Sequence, residues 1–213
     1  MNKQWLKALA ATLGLVFGTQ AIAAKAPDET LKLAVAEIQT LLDQNEAKYK
    51  ADKASYFQMV DQKIVPHFDL PYIARGVLAR NWKTATPDER SRFQSAFKNM
   101  LIRSYADAML ENHDSVKAEW KPVRLAAGAT DAVVNSSIIR NGKPPIAIGF
   151  SVHLVNDEWK IYDISVENLS LVQNFRDQFN AQLKKAPLAE VIAKMESGQY
   201  APAAPATDSS KAK

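Results

Sequence analysis

The chain has 213 residues, with 27 Lys+Arg, 23 Asp+Glu, three His and no Cys, and a formal net charge of +4. That length suits one domain with short additions, and it leaves enough chain to build a core without disulfides. The near-balanced charge lacks the clustered basic footprint of a nucleic-acid binder.

Residues 1–23 have the form of a cleavable signal peptide. Lys3 and Lys7 stand at the start with no acid, Ala8–Phe17 is apolar but too short to span a bilayer, and Ala21-Ile22-Ala23 is a small-residue cleavage pattern. Removing the two lysines with the leader lowers the formal charge from +4 to +2. No Cys stands at the cleavage point to be acylated. The expectation is therefore export to the periplasm without lipidation. No later segment is apolar for 18 residues in a row, so the mature chain should not span a membrane.

Asp28–Lys50 reads as an amphipathic helix, with Leu31, Val35, Ile38 and Leu42 on one face and Asp28 as N-cap. Ser55–Val65 is a second helix, with Tyr56, Met59, Val60 and Ile64 inward and Pro66 ending it. A further helix starts at Asp69, with Pro71 in its first turn. The strongest helix start is Thr86-Pro87-Asp88-Glu89, a capping box. It opens a helix to about Asn112 with Phe93, Phe97, Met100, Leu101, Tyr105 and Ala108 in one broad stripe.

At Val116 the period changes from 3.6 to 2. Val116–Leu125, Ala132–Arg140, Ile146–Val155 and Trp159–Val166 read as four strands, with turns at Asn141-Gly142 and Asn156-Asp157-Glu158. The third strand puts Ile146, Ile148, Phe150, Val152 and Leu154 on one bulky face and Ala147, Gly149, Ser151, His153 and Val155 on the other. Helix returns at 171–186, stepping through Leu171, Phe175, Phe179 and Leu183, and again at Pro187–Ser197, closed by Gly198. Residues 201–213 are rich in Ala, Pro, Ser and Lys and are expected to be disordered. Residues 24–200 then form one α+β domain, a twisted sheet with helices across its apolar face. Such a cone is either packed solid or left hollow.

No hydrolase elbow, dinucleotide fingerprint, P-loop or zinc-protease motif is present. His67, His113 and His153 are far apart in sequence and suggest neither a triad nor a metal site; no cofactor is expected. Asp163, beside Tyr162 on the last strand, has two readings: a buried general base in an apolar pocket, or a structural carboxylate. Arg75 and Arg80 are surface charges or contacts for a ligand's charged end.

Several segments together resemble the MlaC family, also called the toluene-tolerance or Ttg2D-like family. They are Ile73-Ala74-Arg75-Gly76-Val77-Leu78 with Trp82, Ala85–Arg90 with Phe93 and Phe97, Ser104-Tyr105-Ala106, and Trp159–Asp163. Val166–Ser170 and Arg176–Phe179 follow in order. The resemblance runs from about Leu31 to Met195. Two departures are Asn168, where the family has Gly, and Ala186-Pro187, where it has glycines.

The resemblance implies an NTF2-like curved four-stranded antiparallel sheet with a helical cap, enclosing an apolar cavity that holds phospholipid acyl chains. It implies a monomeric carrier without catalysis. Its partners would be an outer-membrane lipoprotein–porin complex and an inner-membrane MCE-protein/ABC-transporter complex. The alternatives are an NTF2-like enzyme using Asp163, or a periplasmic chaperone. The expected pocket wall is Ile146, Ile148, Phe150, Val152 and Leu154, facing Val77 and Leu78 and then Phe97, Leu101 and Tyr105. Leu169, just after the last strand, is expected in the wall or the mouth, or else as packed core. Arg75, Arg80 and Lys83 should flank the mouth and dock the membrane complexes through weak, salt-sensitive contacts.

Overall fold

The computed structural model describes residues 25–202 apart from Asn141. The leader and nearly all of the tail therefore lie outside the described residues.

Five strands form one antiparallel meander in the order β1 to β5: Val116–Trp120, Asp131–Arg140, Lys143–Val155, Glu158–Val166 and Leu169–Ser170. The alternating pattern anticipates the first four. β1 stops five residues sooner than its pattern, because Pro122 has no N–H to continue the ladder. The fifth strand is too short to show a period. It exists because Glu167 and Asn168 both take left-handed backbone, φ 49° and 64°, and fold the chain back so that Leu169 pairs with Val166. Asn is among the residues that tolerate this conformation best, so the turn forms without a Gly. Asn156 and Asp157, φ 51° and 64°, make the two-residue turn between β3 and β4.

A bulge re-aims β4. Ser151 pairs with Asp163 but Val152 pairs with Ile161, so Tyr162 is the extra residue. Ile161 and Ile164, three apart, consequently both serve the inner face, opposite Val152 and Phe150.

The helices are α1 (Pro27–Ala51), α2 (Lys53–Met59), α3 (Leu70–Leu78), α4 (Arg80–Thr84), α5 (Pro87–Asn112), α6 (Leu171–Leu183) and α7 (Leu188–Glu196). The N-cap of α1 is Ala26 rather than Asp28. Asp28 sits in the first turn and accepts the Val123 N–H at 3.3 Å, pinning the helix to the segment after β1. The expected Ser55–Val65 helix is divided. After α2 the chain opens into a π-helical turn over Val60–Ile64, then tightens into a 3-10 turn, Val65–His67, that contains Pro66. Asp69 caps α3 through the Tyr72 N–H at 3.0 Å. Thr86 and Glu89 form the reciprocal capping box of α5. Thr86→Ala removes half of that box and is expected to cost about 1 kcal/mol, read as a lower urea midpoint with unchanged slope.

Among the described residues, three apolar clusters fill the interior. The first is all-helical: α3 gives Ile73, Ala74, Val77 and Leu78, α5 gives Phe93, Ala96, Phe97 and Met100, α6 gives Phe175 and Phe179, and α7 gives Val191, Ile192 and Met195. The second joins α1, α2 and the far half of α5 through Leu42, Tyr49, Tyr56, Met59, Val60, Ala106 and Leu110. Tyr56 donates its hydroxyl to the Ala106 carbonyl at 2.7 Å, which satisfies the buried polar end of that cluster. The third lies on the inner sheet face around Val134, Val152, Trp159 and Ile161, with Leu31 from α1 over it.

A divided apolar cavity as the candidate functional site

Where the three clusters meet, they do not close. A cavity of about 360 Å³ opens between α5, the π-helical turn, α3, α6 and β4. Phe97, Leu101, Ile102, Tyr105 and Met109 line it from α5, Val60 and Ile64 from the π turn, and Ile161 and Ile164 from β4. A second cavity of about 260 Å³ lies between α1 and the first three strands, lined by Leu31, Val35, Ile38, Trp120, Ile138 and Phe150 among others. Ile64, Phe68, Met109 and Ile161 border both, so one apolar wall separates two neighbouring chambers. The larger chamber falls in the size range of ligand pockets, roughly 300–1,000 Å³.

The local reasons for this hollow are visible in the chain. The π turn carries a Val65 N–H to Val60 O bond, a wider loop than an α-helix makes, and it puts both Val60 and Ile64 on the larger chamber. Phe68 is fixed by Asp69, whose N–H donates to the Ile161 carbonyl at 2.9 Å. The segment between the 3-10 turn and α3 is thus stitched to β4, and Phe68 becomes part of the dividing wall.

Three polar side chains line the larger chamber: Lys98, Tyr105 and Asp163. Lys98 pairs with Asp61 at 2.5 Å. Asp163 accepts the Ser170 hydroxyl at 2.5 Å and the Val172 N–H at 3.0 Å, so its two oxygens hold the start of α6. That is the geometry of a structural carboxylate at a helix N-terminus. The smaller chamber contains two histidines. His113 is buried at the end of α5, with Nδ1 2.7 Å from the Leu110 carbonyl and Nε2 3.2 Å from Asp43, which ties α5 to α1. His67 is pushed below the ordinary imidazole value, chiefly by burial and then by Lys160, so it is neutral at pH 7. His153 lies 2.9 Å from Asp69, in neither chamber. No group of three or more His, Asp or Glu among the described residues is arranged to hold a metal.

The residues singled out in the sequence divide into two sets. Phe97, Leu101 and Tyr105 line the larger chamber and Phe150 the smaller. Val77 and Leu78 line neither: both are fully buried in the all-helical cluster, because α3 packs that face on α5 and α6. Val152 is likewise packed solid in the sheet cluster, with Leu154 against it. Ile146 and Ile148 are half-buried on β3 and reach neither chamber. Leu169 is 55% exposed on the edge strand, since the 167–168 turn carries it away from the wall to pair with Val166.

Ile64, Phe68, Met109, Ile161 and Ile164 line the chambers although the sequence does not point to them as wall residues. Phe68 lies in a connection, and the two β4 isoleucines share a face only because of the bulge. Met109 and Ile64 do follow the α5 stripe and the second helix's inward set.

Comparison with known proteins places this architecture. A solved phospholipid-binding protein from Ralstonia solanacearum, in complex with a phospholipid, superposes with a TM-score of 0.72 at 32% identity. The match covers 80% of this chain and 94% of that one. The intermembrane phospholipid transport system binding protein MlaC of Haemophilus influenzae is 24% identical over 94% of this chain and 95% of its own length. Toluene tolerance protein ttg2D of Pseudomonas putida is 24% identical over 74% of this chain and 73% of its own. The MlaC protein family model matches residues 32–197, a span that holds α1 from its second turn through α7 and every strand between. The chain belongs to the MlaC family.

Proposed function

We propose that the protein is a soluble periplasmic phospholipid carrier that shelters acyl chains in the divided cavity and moves lipid between membrane complexes. The mature carrier is one domain, about residues 24–200, freed from the leader 1–23 and followed by the tail 201–213. The observation that carries this reading is the pair of apolar chambers sharing the Ile64, Phe68, Met109 and Ile161 wall. A diacyl lipid has on the order of 30 CH₂ groups, each about 0.8 kcal/mol more stable out of water. Such a molecule does not cross an aqueous space unshielded. A bilayer already gives its tails an apolar home, so a carrier that roughly matches the bilayer both loads and releases. Two adjoining chambers suit two chains, with the headgroup left toward water, in an NTF2-like cone left hollow.

The partners in this reading are an outer-membrane lipoprotein–porin complex and an inner-membrane MCE-protein/ABC-transporter complex. Exposed Arg75, Arg80 and Lys83, none in an ion pair among the described residues, suit weak contacts with them. No catalytic step is proposed: both oxygens of Asp163 are occupied by α6.

Lipid extraction of the purified protein, with mass spectrometry of the extract, tests the reading. Phospholipid is expected in stoichiometric amount. Protein that emerges lipid-free and takes up none from vesicles overturns it.

A further inference from the structure

A phospholipid brings a phosphodiester anion as well as acyl chains, and neither chamber offers that anion a free cation. Among the described residues, Lys98 is the only Lys or Arg on either lining, and it pairs with Asp61. His113 faces Asp43, and His67 is neutral. A separate cleft of about 540 Å³ lies between α3, β4 and α6. Arg75 and Gly76 of α3, Asp163 of β4, and Val172, Gln173 and Arg176 of α6 are on its lining. Asp163 and Val172 also line the larger chamber, so cleft and chamber adjoin across those two residues.

The two arginines of the cleft keep their charge unspent. Arg176 is fixed in place: its Nε donates to the Gly76 carbonyl at 2.8 Å and its Nη1 to Gln173 Oε1 at 3.0 Å. Both acceptors are neutral. Gly76 lets α6 come this close to α3, since a Cβ there would stand 3.2 Å from Val172 Cγ1. Arg75 is exposed on α3, and its guanidinium has no hydrogen-bond or ion-pair partner among the described residues. Asp163 is the one carboxylate on the cleft, and Ser170 and Val172 already engage it. Guanidinium groups hold phosphate through paired, charge-assisted hydrogen bonds, and one already fixed in place loses little freedom in doing so.

Resting on the carrier reading above, we infer that the α3–α6 cleft is a phosphate site in which Arg75 and Arg176 hold the phosphodiester of the bound lipid while its chains lie in the chambers. The guanidiniums read the phosphate and not the group beyond it. The carrier therefore accepts phospholipids of several headgroups and discriminates against diacylglycerol, which has the same chains and no anion. Arg176→Gln would also cut the tie between α3 and α6, so Arg75 carries the test.

The experiment is selective loading. Lipid-free protein is incubated with phosphatidylcholine vesicles that carry a minor share of diacylglycerol of matched chain length, re-isolated, and analysed for both lipids. The parent is expected to enrich phospholipid over diacylglycerol about tenfold relative to the vesicle, and Arg75→Gln to keep its melting temperature and lose most of that enrichment. Arg75→Lys, which keeps the charge without the planar fork, should stand between them. Lys185→Gln, exposed and off the cleft, removes the same charge and should match the parent. Vesicle proportions in the parent overturn this inference and leave the carrier reading standing. Enrichment that survives in Arg75→Gln, or is lost as fully in Lys185→Gln, overturns the cleft as its source. Inorganic phosphate titrated into lipid-free protein separates the two sources of the anion. Calorimetric binding that Arg75→Gln abolishes, with lipid enrichment unchanged in that variant, makes the cleft a free-phosphate site and overturns its assignment to the lipid. Uptake of neither lipid by the parent overturns the carrier reading itself, and this inference with it.

Discussion

Leu101→Glu is expected to leave the fold standing and to strip the protein of lipid. Leu101 is half-buried on α5 and lines the larger chamber. Leu101 keeps partial access to solvent, so in the unloaded protein the native state tolerates the introduced carboxylate. Loading acyl chains takes that access away, and an unpaired carboxylate among methylenes costs several kcal/mol. Extractable phospholipid should fall at least tenfold while far-ultraviolet circular dichroism is retained. Binding should return in part below about pH 5, where a desolvated glutamate regains its proton. Leu101→Met keeps the volume and should keep the lipid. A folded Leu101→Glu protein with full lipid content would remove the larger chamber from the site.

Phe179→Ala is expected to do the reverse, costing stability first. Phe179 is fully buried where α6 crosses α5 and α7. Its ring meets Phe93 edge-on at 5.2 Å and lies flat on Tyr200 at 5.1 Å. Truncation leaves a cavity among helices that cannot all collapse into it. The cost should be about 3–5 kcal/mol, or roughly a 10 °C drop in melting temperature for a domain of this size. A drop of under 2 °C would mean the cluster repacks freely, and then the solid helical core is not solid.

The contrast between these two residues marks how far the sequence could be read. Both lie on helical stripes of bulky apolar residues, and periodicity says of each only that it points inward. Whether inward is hollow or packed depends on which elements face each other across the gap, which the stripe does not encode. The stripe puts Val77 and Leu78 inward for that reason, and α6, docking from the other end of the chain, buries them against α5 instead of leaving them on the wall. Capping chemistry was legible at Thr86, Glu89 and Asp69 because it is settled within four residues. The strands were legible for a similar reason, except the fifth, which two residues cannot announce. Ile161 and Ile164 escaped because strict alternation puts them on opposite faces, and only the bulge at Tyr162 reunites them.

The π-helical turn at Val60–Ile64 gives the chamber a different kind of vulnerability. An α-helix advances about 100° per residue, so a single residue removed from this turn would let α2 wind on regularly and swing everything after it by that angle relative to everything before. Tyr56 is anchored on one side by its bond to Ala106, and Asp69 on the other by its bond to Ile161. A one-residue deletion between these anchors would have to break one of them or rotate Ile64 off the dividing wall. The two chambers are therefore separated by a count of residues as much as by their identities. Volume-conserving apolar exchanges at Val60 and Ile64 should pass unnoticed, whereas a shift of length by one should merge or collapse the chambers.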